Sequence, residues 1–156
     1  MTEAVSNISV ELNKTFNHTI ENYKFGNIPD IICLERWKDG RGFAHFIEPW
    51  LSVNYPLTYI EGCKKYDFTD KNFPDILYDE KTFTKRGCDF RPSNMKGQGR
   101  TFNKEVFEKK TKNLVFCIVS NIYFPNIKVR FVKGTELLLK YPTGKIPSKD
   151  FIKFFD

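Results

Sequence analysis

The sequence predicts an α/β (α+β) domain with a mixed central sheet flanked by helices. Three observations carry that prediction. Within residues 127–132, Ile127 to Phe131 alternate, Ile/Val/Phe against Lys/Arg, in the manner of a half-buried strand. Residues 114–120 (Leu-Val-Phe-Cys-Ile-Val-Ser) form a nearly unbroken apolar run, the pattern of a fully buried strand. Residues 103–112 read as a basic helix, in which Val106 and Phe107 are apolar and Glu105 stands four residues before Lys109. A hairpin, a helix and two further strands in that order call for a mixed sheet.

The chain has 156 residues and a mass of 18.4 kDa, which predicts a single domain over residues 1–156. Hydrophobic residues make up 40% and charged residues 28%, enough apolar side chain for a packed core. No apolar run approaches the ~20 residues of a membrane span. The start, Met1-Thr-Glu-Ala-Val-Ser, lacks a basic region followed by an apolar one, so a cytoplasmic location without membrane attachment is expected. The cysteines (Cys33, Cys63, Cys88, Cys117) form no Cys-x-x-Cys pair, and only His18 and His45 could complete a zinc site. Buried thiols in a reducing compartment are the expectation.

From the N-terminus, Val5, Ile8, Leu12, Phe16, Ile20 and Tyr23 recur at spacings of three and four. That spacing predicts an amphipathic helix over 4–24, ended by Gly26 and Pro29. Its apolar face is a candidate dimer interface, or equally core. Ile31 to Leu34 is a short apolar run, strand or buried helix, and residues 38–42 form a turn. Residues 43–51 read as helical, with Pro49 expected to begin or kink a turn. Residues 52–72 read as loop and sheet edge. Ile76-Leu77-Tyr78 reads as a short strand, Asp79-Glu80-Lys81 as a polar turn, and residues 83–90 as the hairpin partner. Residues 92–100, with Pro, Ser, Asn and two Gly, read as a loop. After the strand at 127–132 come a helix start or strand at 136–139, a turn at 142–145 and a short amphipathic end at 150–155.

Charge divides the chain. Residues 1–80 carry a net charge of −5 and residues 81–156 a net of +11. So basic a C-terminal half suggests a polyanionic partner, nucleic acid above all. Arg100, Lys104, Lys109 and Lys112 are the predicted nucleic-acid contacts. The bland reading is a lysine-rich composition with a solvated basic face.

The two histidines are far apart and no Gly-x-Ser-x-Gly elbow is present, so nucleophilic hydrolase chemistry has little support. Lys96-Gly-Gln-Gly-Arg-Thr lacks the spacing of a phosphate loop. What remains is acids on the predicted hairpin. Asp75 opens its first strand and Asp89 lies 14 residues later on the second. Antiparallel neighbours can bring two such carboxylates together. Paired carboxylates suit Mg²⁺, a hard cation that prefers oxygen ligands and keeps open water positions. Arg91 or Lys96 would supply the nearby cation.

This arrangement resembles the PD-(D/E)xK nuclease superfamily, and most of all small type II restriction endonucleases. The residues that carry the resemblance are Phe73-Pro74-Asp75-Ile76-Leu77 and Gly87-Cys88-Asp89-Phe90-Arg91-Pro-Ser-Asn, followed by the 103–112 helix and the strands after it. It covers roughly residues 43–139. The resemblance implies an acid-bearing helix, a hairpin carrying both halves of the motif, a helix and further strands. It also implies a Mg²⁺-dependent endonuclease acting on DNA, with Asp75 and Asp89 on the metal. Glu48 would be the helix acid, with Glu35 as substitute because Pro49 follows Glu48 directly. The family's lysine position is here Arg91, which binds phosphate but stays protonated, and Lys96 is the alternative. Cutting both strands needs two sites, hence a homodimer. A non-catalytic nucleic-acid binder and a viral or host protein-interaction module are the rival expectations.

Overall fold

The computed structural model describes residues 7–62 and 65–156. Its centre is a six-stranded sheet, assembled from β1 (Thr15–Thr19), β2 (Leu57–Tyr59), β3 (Phe68–Asp70), β4 (Leu77–Phe83), β6 (Leu114–Ser120) and β7 (Asn126–Lys133). The spatial order is β1-β7-β6-β4-β3-β2. Only β4 and β6 run parallel, and every other neighbouring pair is antiparallel. The crossover between that parallel pair contains α3 (Lys104–Lys112), as a parallel connection requires. A second, two-stranded sheet pairs β5 (Cys88–Asp89) with β8 (Lys145–Ile146). The α+β class and the mixed sheet are as expected.

Both faces of the sheet are covered. One side packs against α1 (Asp30–Trp37) and α2 (Gly40–Asn54), with Phe43, Ile47 and Leu51 against Phe68, Tyr78, Cys117 and Phe131. The other packs against α3, α4 (Gly134–Lys140) and α5 (Phe151–Phe155), around Phe83, Phe107, Phe116, Ile118 and Leu137. All seven residues of β6 are buried, because it lies between these two cores.

Three expectations are corrected. The N-terminal segment is not a helix. Residues 1–6 lie outside the described residues; beyond them, Asn13 turns into the left-handed region at φ 59° and Thr15–Thr19 pair with β7. Ile8, Leu12, Phe16, Ile20 and Tyr23 pack on the chain's own core, so the spacing that reads as a dimer face is spent internally. Second, α2 runs unbroken through Pro49, with Glu48 inside it. An interior proline costs about 3 kcal/mol. Burial of Phe43, Ile47 and Leu51, each 3% exposed or less, contributes about 1.5–3 kcal/mol apiece and outweighs it. Asp39 caps the helix start, accepting from the Arg41 N–H at 2.9 Å.

Third, Asp79-Glu80-Lys81 is not a turn but the middle of β4. The turn comes later, at 84–87, where Thr84 and Gly87 exchange backbone hydrogen bonds of 3.0 and 2.9 Å. Gly87 has φ 95° and lies so close to the Ile146 carbonyl that a Cβ there would collide with it. The chain then leaves the main sheet for β5.

Candidate active site

On β4, Asp79 and Lys81 are two apart and share a face, and Glu80 between them points the other way. The β3–β4 register pairs Phe68 with Tyr78 and, carried one step further, sets Asp67 opposite Asp79. Among the described residues β3 reaches no further, so the edge of β4 beyond Asp79 has no strand neighbour on that side. The Asp67 carboxylate serves in its place, accepting the Glu80 backbone N–H at 2.8 Å. A buried N–H is thereby satisfied by a side chain. Glu48 approaches from α2 and completes an acidic floor.

The electrostatics show how close these groups are. Burial, then Asp79 and Glu48, raise Asp67 to about 8, and its carboxyl is within hydrogen-bonding reach of Asp79. Burial and then Asp79 push Glu48 above the usual carboxylate range. Glu80 is 6% exposed; burial and then Glu48 raise it strongly, while its carboxylate accepts from the Thr82 hydroxyl at 3.0 Å. These are the marks of like charges crowded in a poorly solvated place. Lys81 answers them. Burial pulls its pKa down, but the Asp79 charge and hydrogen bond win and raise it, with Nζ 3.2 Å from Asp79 Oδ2.

The floor opens into a cleft of about 1850 Å³. Its walls are basic: Lys85, Arg86, Lys96, Arg100, Lys110 and Lys145 all line it. Lys96 is half-buried and donates to the Asp89 carbonyl at 3.3 Å; burial, then the neighbouring Lys81, lower its pKa.

The sequence-predicted residues fall into two groups. Glu48, Asp89, Lys96, Arg100 and the substitute acid Glu35 do line the cleft. Asp75 and Asp89, the expected metal pair, are not brought together. Asp75 is exposed in the turn before β4 and outside the cleft. Asp89 follows the 84–87 turn, which brings the chain back along β4, so that it lines the cleft from which Asp75 is absent. The Asp89 carboxylate is also committed to Arg91, accepting Nε at 2.9 Å and Nη2 at 2.6 Å. Arg91 in turn does not line the cleft. Lys104, Lys109 and Lys112 are exposed on α3 away from the cleft lining, and Lys110 reaches it in their stead. The residues that sequence reasoning missed are Asp67, Asp79 and Lys81. A literal Asp-x-Lys at 79–81, twelve residues after Asp67, was the available signal.

Two acids face one another here, with a third close by. Among the described residues no three His, Cys, Asp or Glu side chains converge as a ready-made metal cage. Carboxylate oxygens are nonetheless the donors that Mg²⁺ or Mn²⁺ prefers, and repulsion within the pair is what a cation relieves. Family models, curated proteins and solved structures contain no match to this chain. No helix among the described residues is long and apolar enough to cross a membrane.

Proposed function

We propose that the protein is a metal-dependent endonuclease that hydrolyses phosphodiester bonds in DNA. The observation that carries this reading is the Asp67–Asp79 pair, with Lys81 beside it, at the floor of a basic-walled cleft. The element order supports it. An acid-bearing helix (α2), a hairpin carrying both halves of the motif (β3–β4), a helix (α3) and further strands (β6, β7) follow one another as the PD-(D/E)xK resemblance implies. Asp79-Glu80-Lys81 fits the (D/E)xK half; before Asp67 stands Tyr66 where the family has proline.

Asp67 and Asp79 would hold Mg²⁺, with Glu48 adding negative charge nearby. Such an ion supplies a water acidified toward hydroxide and neutralises charge on the phosphate. The chain's own groups do the rest. Lys81 stays charged and donates toward a phosphate oxygen. Lys96, lowered by burial and by Lys81, is the better proton acceptor of the two lysines. The basic walls draw the polyanion in. One such site cuts one strand, so breaking a duplex calls for two copies, by a surface other than the segment around Leu12 and Phe16.

The test is plasmid cleavage with Mg²⁺, Mn²⁺ or EDTA. Asp67→Asn, Asp79→Asn and Lys81→Ala should each abolish cleavage while leaving DNA binding in place. Asp75→Asn should cut as the native protein does. The rival is a non-catalytic DNA binder, favoured by Lys81 already occupying Asp79 as its counter-ion. Binding without cleavage by the native protein, and without metal-induced stabilisation, would establish that rival instead.

A further inference from the structure

Asp89 and Arg91 make the most fully bonded ion pair on the cleft margin, yet neither takes the part its sequence position suggests. Arg91 donates from Nε and Nη2 to the two oxygens of Asp89, and its backbone N–H donates to Oδ1 at 3.1 Å. Its guanidinium lies over the Phe102 ring, 5.6 Å from the centroid. Its aliphatic stem fills the space beside Gly144, where a Cβ would strike it. Arginine held as a planar fork and stacked on an aromatic ring is fixed at several points. The segment between the partners is pinned as well, because the Phe90 N–H donates to the Gly144 carbonyl at 2.9 Å.

The carbonyls at the two ends of this braced segment point at the cleft's two inner lysines. Lys81 Nζ donates to the Arg91 carbonyl at 3.3 Å, and Lys96 Nζ donates to the Asp89 carbonyl at 3.3 Å. Both ammonium groups therefore rest on a three-residue stretch that the ion pair holds still.

We propose that the Asp89–Arg91 pair is a positioning device, which fixes the two backbone carbonyls that aim the Lys81 and Lys96 ammonium groups into the cleft. The aiming itself is a property of the folded chain; its consequence for turnover rests on the nuclease reading. Arg91 is then a positioning residue that meets no phosphate, although it occupies the place where the resemblance puts a phosphate-contacting cation.

Asp89→Asn and Arg91→Ala separate the two roles, because they change charge in opposite directions. A brace fails whichever partner is removed. Both variants should lower kcat by roughly 10- to 100-fold, the range seen when groups behind a metal site are removed. KM and DNA affinity should stay near native values. Arg91→Lys keeps one point of the ion pair and should retain most of the activity. The second readout needs no cleavage: NMR of the lysine ammonium groups in full-length protein labelled at lysine Nζ. Lys81→Arg and Lys96→Arg assign the two signals. Asp89→Asn and Arg91→Ala should both shift them and speed their hydrogen exchange, in protein shown to be folded by near-ultraviolet circular dichroism.

Unchanged Lys81 and Lys96 signals in both variants would overturn the proposal. So would native or higher cleavage by Asp89→Asn beside a loss in Arg91→Ala, since that pattern marks Arg91 as a direct phosphate ligand. Should the native protein cut no DNA with any divalent metal, the nuclease reading falls, and the ammonium spectra still decide the positioning role.

Discussion

Replacing Asp67 by asparagine probes the facing carboxylates without reference to catalysis. In an unfolded chain an aspartate ionises near about 3.9. In the folded protein burial, then Asp79 and Glu48, hold Asp67 up to about 8. A carboxyl raised on folding destabilises the protein once it must ionise. Below the unfolded value both states hold the proton and nothing is lost. Between the two values only the folded state keeps it, so stability falls by about 1.36 kcal/mol per pH unit. The proton belongs to the Asp67–Asp79 pair as a unit, and Glu48, Glu80 and Lys81 set the surrounding field. From pH 5 to 7 the loss is about 2.7 kcal/mol for one proton. An amide at position 67 does not titrate, yet keeps an oxygen for the Glu80 N–H. Asp67→Asn should therefore gain on the native protein by about 1–3 kcal/mol between pH 5 and pH 7, the range allowing for context dependence. Urea unfolding at three pH values, in EDTA and at fixed ionic strength, measures this. Adding Mg²⁺ at a hundredfold excess over its Kd should restore about 2.7 kcal/mol to the native protein and nothing to the variant. A stability difference that stays constant with pH, or one that moves against the variant as pH rises, would refute the paired-carboxylate geometry.

Other outcomes follow from single interactions. Pro49→Ala, at an exposed interior position of α2, should restore the hydrogen bond to the His45 carbonyl and raise stability by about 1–3 kcal/mol in the same unfolding assay. Asp70 is 1% exposed and accepts from Ser9 N and Oγ, Tyr78 Oη, and the Asn72 and Phe73 N–H groups. Burial pushes its pKa up, but the bonds from Ser9 and Tyr78 win and lower it. Its contribution is thus full above the unfolded value near 3.9 and fades as pH falls below that. Asp70→Asn leaves at least two donors without an acceptor and should cost about 3 kcal/mol or more at pH 7, with the cost shrinking in acid. Reversing Lys85 and Arg86 to glutamate should weaken DNA binding and flatten its salt dependence more than reversing Lys104, Lys109 and Lys112, as fluorescence anisotropy at several salt concentrations would register.

The elements legible in the sequence are those whose hydropathy repeats match their burial. β6 and β7 are apolar or alternating, and α3 carries its own charge pattern and an Asn103 cap that accepts from the Val106 N–H at 3.1 Å. The site was legible only where a residue sits on such an element or in an obvious loop, as with Glu48 and Lys96. Asp79-Glu80-Lys81 was not, because three charged residues in succession have poor strand propensity and local reasoning assigns them to a turn. What makes them strand is remote: their backbone pairs in parallel with Phe116, Cys117 and Ile118 across a crossover of 30 residues. The N-terminal segment misled for the opposite reason. Its apolar spacing is real and Ile8, Leu12, Phe16, Ile20 and Tyr23 pack against the core, but an antiparallel edge on β7 was available and Asn13 turns the chain onto it.

The charge division along the chain acquires a spatial meaning through the same tertiary contacts. Glu48, Asp67 and Asp79, from the acidic half, make the floor of the cleft, while Lys85, Arg86, Lys96, Arg100, Lys110 and Lys145, from the basic half, line its walls beside Lys38, Arg41 and Lys65. A polyanion approaching this cleft meets attraction at the rim and repulsion at the bottom. The walls suffice for retention, since counterion release depends only on the number of phosphates they neutralise. Contact with the floor needs added positive charge, and Lys81 supplies one unit against a pair of carboxylates that would otherwise share a proton. Binding and close approach are thus separable in this fold. DNA should bind in EDTA with nearly its full affinity, and only a divalent cation should bring a phosphate down to Asp67 and Asp79. A lysine held against Asp79 and a proton on the pair are what the acidic floor uses in that cation's place.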